Sequence, residues 1–278
     1  MSTDTLTLDP GATRRARWLI ADSIVIARRS LAHIRQVPEK LLDVTVQPLM
    51  FVLLFAFVFG GVISVPGGSY HEYLIGGILV QTIVFGMMGP ASSMATDMLE
   101  GIVDRFRTLP MSRSAFLVGH IFAELAGMLL AITILSLSGL AVGWTISSSF
   151  GDAVAGYALL VLLTFTMIWV GTLLGVLVRS PDAVMGVGFI VVFPLTFIAS
   201  TFVPVAGLPA GLQEVAEWNP ISALAAATRT LFGNPTATPA DAAWPLQHPV
   251  LSSVLWCAAL LAIVVPATIG AFRRRTTG

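Results

Sequence analysis

Six long apolar stretches constrain the fold of this chain more than any other feature of its sequence. A helix of about 20 residues crosses the roughly 30 Å hydrocarbon core of a bilayer, where backbone polar groups must be paired within the protein. Hydrophobic residues make up 56% of the chain and charged residues only 11%, too few to cover a soluble domain of 278 residues. The sequence therefore predicts an all-α membrane protein with six transmembrane helices in one domain, residues 46–278. The predicted spans are residues 46–65, 74–96, 115–142, 154–178, 183–205 and 250–272.

The distribution of basic residues predicts the orientation of these spans. All but one of the 15 Lys and Arg residues lie before the first span, after the last span, or in two of the five connections. Those two connections join spans two and three and spans four and five. The exception is Arg229, in the connection between spans five and six. Because basic segments stay on the cytoplasmic side, we expect a multi-pass protein of the bacterial inner (plasma) membrane with both termini in the cytoplasm.

Residues 1–45 are predicted to form a cytoplasmic tail and an amphipathic interface helix. Between residues 16 and 35, apolar residues fall on one helical face and basic residues on the other. A basic amphipathic helix of this kind lies flat on a membrane, and packing against protein is the alternative that the pattern leaves open. The arginines of the polar face are Arg17, Arg28, Arg29 and Arg35.

Two connections between spans are longer than a simple link requires. The cytoplasmic connection, residues 97–114, has a helical pattern that ends before Pro110, because proline disfavours helix at the preceding residue. The outer connection, residues 206–249, contains two short helical patterns near residues 210–217 and 221–232. In the cytoplasmic connection, the apolar stripe is Ile102, Phe106 and Leu109, and its charged flanks are Asp104, Arg105 and Arg107.

The sequence lacks the patterns of nucleotide hydrolysis, metal binding and nucleophilic catalysis. Its single lysine, Lys40, follows Pro-Glu instead of a Gly-rich turn, so the chain contains no Walker A loop. The four histidines are scattered and form no His-Glu-x-x-His pair, and Cys257 is the only cysteine. The chain is therefore predicted not to be an enzyme and to bind no metal or cofactor by itself. Its zero net charge indicates no nucleic-acid partner.

Three residues inside the predicted spans are candidates for the transport path. His120 and Glu124 lie one helical turn apart in span three, where a hydrogen bond between them would fit the spacing. Ionisable residues inside a span are costly and therefore point to function, although a purely structural pair facing other helices remains open. Pro194 in span five predicts a kink, with nearby hydroxyl side chains pairing the freed backbone groups.

Two motifs resemble those of a known family. The run from Gly101 to Ala115 resembles the cytoplasmic loop of type-2 ABC exporter permeases, in the branch of daunorubicin/doxorubicin-resistance permeases. The runs 208–222 and 229–233 are similar to the outer loop before the last span in that branch. The basic N-terminal helix, the six spans and both long connections occur in the expected order.

This resemblance implies a subunit of a larger transporter. It implies a separate ATP-binding cassette ATPase in two copies, which would hold ATP and Mg, and a second permease chain, expected to form a homodimer. The cytoplasmic connection would carry the coupling helix that docks on the ATPase. Its residues are Ile102, Asp104, Arg105, Phe106, Arg107, Leu109 and Pro110. The N-terminal amphipathic helix would also contact the ATPase, and the outer connection would form short helices that re-enter the bilayer.

The sequence leaves the cargo open, with a hydrophobic or amphipathic drug or a lipid as the expected class. Two other function classes are alternatives to the exporter. A proton-coupled carrier or channel could use Glu124, but carriers usually show internal repeats, and this chain shows none. A membrane-embedded enzyme would need a catalytic pair, for which only His120 and Glu124 are available.

Overall fold

The computed structural model describes Val46 and residues 49–50, 52–60, 63, 65–101, 113–178, 180–239 and 241–277. Every regular element in this part of the chain is helical, which confirms the all-α fold. The helices are α1 (Tyr70–Gly86), α2 (Met88–Leu99), α3 (Arg113–Ala141), α4 (Phe150–Leu177), α5 (Pro181–Phe197), α6 (Ala210–Trp218), α7 (Pro220–Phe232), α8 (Trp244–Gln247) and α9 (Pro249–Thr277). Shorter helical elements are a π-helical turn at Phe55–Phe59 and a 3₁₀ turn at Val205–Gly207.

Four helical segments are long and apolar enough to cross a membrane. They correspond to the predicted spans two, three, four and six, and they confirm a multi-pass membrane protein. The first predicted span, residues 46–65, is described only in part, so the count of six spans stays a prediction. The four segments are Tyr70–Leu99, which joins α1 and α2, then Phe116–Ala141, Phe150–Leu177 and Pro249–Arg275.

The helix of the fifth predicted span is shorter in the structure than in the sequence prediction of residues 183–205. Helix α5 has 17 residues and ends at Phe197. At 1.5 Å per residue it is about 25 Å long, less than the roughly 30 Å hydrocarbon core. The helix continues through Pro194 for three residues, and the hydroxyl of Thr196 donates to the carbonyl of Val192 at 2.8 Å. Residues 199–202 then continue as buried, non-helical chain.

Helix α4 is the central helix of the bundle and packs against α1, α2, α3, α7 and α9. Two of its glycines, Gly171 and Gly175, lie one turn apart on the face toward the α1–α2 segment. A Cβ on Gly171 would collide with the carbonyl of Met87, and one on Gly175 with the carbonyl of Ala91. Small residues at this spacing let two membrane helices approach closely, so these glycines determine how α4 crosses the segment.

Helix α7 lies inside the bundle, although it belongs to the long connection between α5 and α9. It packs against α1, α4 and α9, and residues 221–229 are all buried. The side chain of Asn219 accepts a hydrogen bond from the backbone of Ile221 at 2.9 Å, which caps the first turn. Gly233 ends the helix in a left-handed conformation with φ of 71°, a common C-terminal signal. Short helices in this connection agree with the sequence prediction, and their re-entry into the bilayer stays a prediction.

Cysteine labelling would test the predicted orientation. In a Cys257→Ser background, a cysteine at the half-buried Ser148 between α3 and α4 is expected to react with an impermeant maleimide outside intact cells. A cysteine at Thr277, next to the three C-terminal arginines, should react only after permeabilisation, because basic ends stay inside. External labelling at Thr277 would contradict the prediction.

Candidate functional site

Two groups of predicted site residues lie outside the described residues, and their roles stay predictions. The first group is Arg17, Arg28, Arg29 and Arg35 of the interface helix. The second group is Ile102, Asp104, Arg105, Phe106, Arg107, Leu109 and Pro110 of the coupling segment. The third group, the candidate transport-path residues, falls on α3 and α5 and can be placed.

A helix break divides the second span between α1 and α2. Helix α1 ends at Gly86, Met87 forms a turn, and α2 begins at Met88. Pro90 explains the break, because proline has no N–H to donate to the carbonyl of Gly86 four residues earlier. The break therefore lies in the interior of a 30-residue span, where irregular backbone is tolerated only when other parts of the protein cover it.

His120 and Glu124 of α3 both face this break. The ring of His120 is 4% exposed and hydrogen-bonds the backbone of Pro90, while its Nε2 has no hydrogen-bond partner. Glu124 is half-buried, and one carboxylate oxygen lies 3.8 Å from the position that a Cβ on Gly89 would occupy. The His120 ring thus joins α3 to α2 at the break, while its predicted bond to Glu124 stays a prediction.

Pro194 does not join this polar pair. On α5, a Cβ on Gly188 would lie 3.3 Å from the end of the Met88 side chain, so Gly188 lies next to the break. Pro194 is six residues further along the helix, or about 9 Å away along its axis. The described residues contain no group of three or more His, Cys, Asp or Glu able to hold a metal ion.

Arg229 forms a second polar site, which the sequence analysis did not predict. Its sequence position marks it only as the basic residue of the outer connection, but its side chain is fully buried on α7. Nε donates to the carbonyl of Tyr73 at 2.7 Å, and Nη2 donates to the carbonyls of Ser200 at 2.8 Å and Thr201 at 3.0 Å. The guanidinium carbon also lies 3.5 Å from the centroid of the Tyr73 ring, a cation–π contact.

Four neighbouring side chains bond the same stretch of backbone at the end of α5. The last carbonyls of a helix have no partner inside the helix, and a bilayer supplies no water to replace one. The bonds run from Tyr73 Oη to the Ser200 carbonyl (2.8 Å), from Tyr70 Oη to the Phe202 carbonyl (3.2 Å), from Asn219 Nδ2 to the Leu195 carbonyl (2.7 Å), and from the Ser200 N–H to Ser222 Oγ (3.0 Å). We call Tyr70, Tyr73, Asn219, Ser222 and Arg229 the Arg229 cluster.

No carboxylate of the described residues pairs with Arg229, so its charge is stabilised by carbonyl dipoles and by the face of the Tyr73 ring. Its Nη1 is buried without a hydrogen-bond partner. A hydrogen bond to a charged group contributes about 1.5–3 kcal/mol, whereas a buried charge that loses its partner destabilises by about 3–5 kcal/mol. The three carbonyl bonds therefore hold Arg229 strongly in this position.

Two glycines of α1 provide the space for the Arg229 side chain. A Cβ on Gly76 would lie 2.8 Å from Cγ of Arg229. A Cβ on Gly77 would lie 2.8 Å from Nη2 and would collide with the carbonyl of Thr201. The available sequence signals were an arginine within an Ala-rich helical pattern and a Gly-Gly pair in a distant span.

The sequence of this chain is similar to those of known transport proteins. Residues 23–232 match the ABC-2 type transporter family. The chain is 30% identical over 204 residues to the daunorubicin resistance ABC transporter permease protein DrrB1 of Streptomyces coeruleorubidus, covering 73% of this chain and 72% of that protein.

More distant relatives cover a larger share of the chain. The doxorubicin resistance ABC transporter permease protein DrrB of Mycobacterium tuberculosis is 23% identical over 237 residues, which is 82% of this chain and 81% of that protein. The putative transport permease ycf38 of Cyanophora paradoxa is 23% identical over 221 residues, which is 78% of this chain and 76% of that protein. These matches confirm the resemblance to the daunorubicin/doxorubicin-resistance branch. The chain belongs to the ABC-2 type transporter family.

Proposed function

We propose that this chain is the permease subunit of an ABC exporter that moves a hydrophobic or amphipathic compound out of the cell. The observation that carries the proposal is the match of residues 23–232 to the ABC-2 type transporter family. The sequence adds a second argument, because its single lysine, Lys40, is not part of a Walker A loop. The energy for transport then comes from ATP that a separate subunit binds with Mg and hydrolyses.

The complete exporter would contain two ATPase subunits and a second permease chain, which we expect to be an identical copy. It would lie in the bacterial inner membrane with both termini of this chain in the cytoplasm. The names of two relatives refer to resistance to daunorubicin and doxorubicin, which are amphipathic drugs. An amphipathic drug or a lipid fits the apolar spans, because the chain, with 56% hydrophobic and 11% charged residues, has few groups to bind a polar cargo.

Reconstitution would test this function. The chain would be purified from its native membrane, and any co-purifying ATPase would be identified and incorporated with it into lipid vesicles. We expect ATP to drive doxorubicin across the vesicle membrane, with no transport when the Walker A lysine of the ATPase is replaced by alanine. If no ATPase co-purifies and ATP drives no cargo through the reconstituted chain, the exporter proposal is wrong.

The helix break beside His120 and Glu124 supports a second candidate, a proton-coupled carrier or channel that uses Glu124. A charged carboxylate inside a span costs about 2.5–3.5 kcal/mol on insertion scales, so Glu124→Gln should insert at least as well as the parent chain. We expect this variant to reduce export while leaving its amount in the membrane unchanged.

Measuring ATP-driven export and proton-driven export separately, from about pH 6 to about pH 8, distinguishes the two candidates. Loss of a proton-driven component in Glu124→Gln would favour the carrier. Export by Glu124→Gln equal to that of the parent throughout this range would assign His120 and Glu124 a structural role only.

A further inference from the structure

The Arg229 cluster joins α1 to the chain that follows α5, although helix α5 itself has little direct contact with α1. Helix α5 packs mainly against α2 and only slightly against α1. The three hydrogen bonds of Arg229 are divided between these elements, one to the carbonyl of Tyr73 on α1 and two to the carbonyls of Ser200 and Thr201 after α5. The hydroxyls of Tyr70 and Tyr73 add two bonds from α1 to the same chain.

We propose that Arg229 is a positioning residue for transport, which holds α1, α7 and the chain following α5 together as one body during the conformational cycle. The cycle itself rests on the proposed function, whereas the contacts that form the body do not depend on it. Cargo then leaves by a route that does not separate α1 from the end of α5.

The chemistry of the cluster explains why this body should stay intact. Moving α1 away from the end of α5 would separate a fully buried cation from one or two of its three carbonyl partners, and burial makes such a loss costly. The planar guanidinium of Arg229 donates hydrogen bonds from Nε and Nη2 in two directions at once. Lysine carries a compact point charge and cannot reproduce this forked arrangement of donors. Gly76 and Gly77 show that α1 itself is shaped to admit this side chain, because a Cβ at either position would crowd it.

The C-terminal end of α7, one turn after Arg229, is also fixed. The indole Nε1 of Trp144 donates to Oδ1 of Asn234 at 2.8 Å, and Nδ2 of Asn234 donates to the carbonyl of Thr145 at 2.8 Å. The backbone N–H of Ser147 donates to the carbonyl of Phe232 at 2.9 Å. Helix α7 is thus bonded to the α3–α4 connection at its C-terminal end, one turn after Arg229, and to α5 and the chain that follows it at its N-terminal end, through Asn219 and Ser222.

Spin-label distances would test the proposal on the full chain in lipid nanodiscs. One nitroxide would be attached at His71→Cys, in the half-exposed first turn of α1, and the other at Val203→Cys, which is 36% exposed after α5, both in a Cys257→Ser background. In the parent chain, we expect a single narrow distribution of distances between the two labels. In Arg229→Met, we expect this distribution to broaden or to split. Thr228→Val is the matched control, since Thr228 is equally buried on α7 but its hydroxyl bonds only its own helix, at the carbonyl of Leu224. Thr228→Val should keep the narrow distance distribution of the parent chain.

A conservative variant keeps the test decisive if Arg229→Met does not insert. Arg229→Lys retains the positive charge but not the forked donor geometry of the guanidinium. We therefore expect it to broaden the distance distribution as well. A distribution as narrow as the parent's in either inserted variant would overturn the positioning role of Arg229.

A second measurement adds the ATPase, with and without nucleotide. The proposal expects the same narrow distance in every state, and a new distance on nucleotide addition would overturn the single body while leaving the exporter function intact. Failure of any ATPase to bind would instead count against the proposed function, and the comparison of Arg229→Met with Thr228→Val would still stand.

Discussion

Replacing Phe106 with alanine is expected to weaken binding of the ATPase about 30-fold, because an aromatic anchor at an interface centre often contributes about 2 kcal/mol or more. Phe106 lies outside every predicted span, so expression and membrane insertion should stay at the parent level. Co-purification of the ATPase and cargo-stimulated ATP hydrolysis should therefore fall together. The measurement is the amount of ATPase retained per permease chain, followed by its hydrolysis rate in vesicles.

Two further variants show whether the effect belongs to the apolar stripe. Leu109→Ala removes a second member of the stripe and should also weaken ATPase binding. Arg113→Ala, at the start of α3, should have a smaller effect, because we predict that this residue lies nearer the lipid headgroups. Full ATPase association and full export in both Phe106→Ala and Leu109→Ala would show that residues 97–114 only connect two spans.

Local composition was sufficient to predict most of the spans. A run of about 20 apolar residues is a property of one segment, so spans two, three, four and six were predicted without knowledge of their neighbours. The helix boundaries differ by several residues, since the second span was predicted as residues 74–96 and runs from Tyr70 to Leu99. Its first turn begins earlier because Ser69 and Glu72 form a capping box.

Contacts between distant segments were not predictable from one sequence. Arg229 bonds a carbonyl 156 residues away, and no local pattern links an arginine in an outer connection to Tyr73 in the second span. The partner of His120 is likewise on another helix, at Pro90. The apolar run of span five continued to Val205, but its helix ends at Phe197, where side chains from α1 and α7 bond the following backbone.

The second large effect is expected where α4 crosses the helix break, in the variant Gly171→Ala. The new Cβ would collide with the carbonyl of Met87 and lie 3.1 Å from the ring of Pro90. Neither neighbour can rotate away, because one is backbone and the other a proline ring fixed to it. Helix α4 must therefore move, and adding atoms to a packed core typically costs about 1–3 kcal/mol. Thermal unfolding of the purified chain should show a clearly lower Tm.

Gly270→Ala is the matched control, because a Cβ at Gly270 on α9 meets no atom within 4 Å. Alanine is the better helix former by about 1 kcal/mol, so this variant should keep or raise the Tm. Gly171→Ala should in addition reduce export per folded chain, since the displaced backbone is the one that His120 and Glu124 face from α3. Equal Tm values for the two variants would mean that α4 does not approach Met87 this closely. If Gly171→Ala lowers the Tm but leaves the export rate unchanged, the packing of α4 against the helix break stabilises the fold but is not needed for transport.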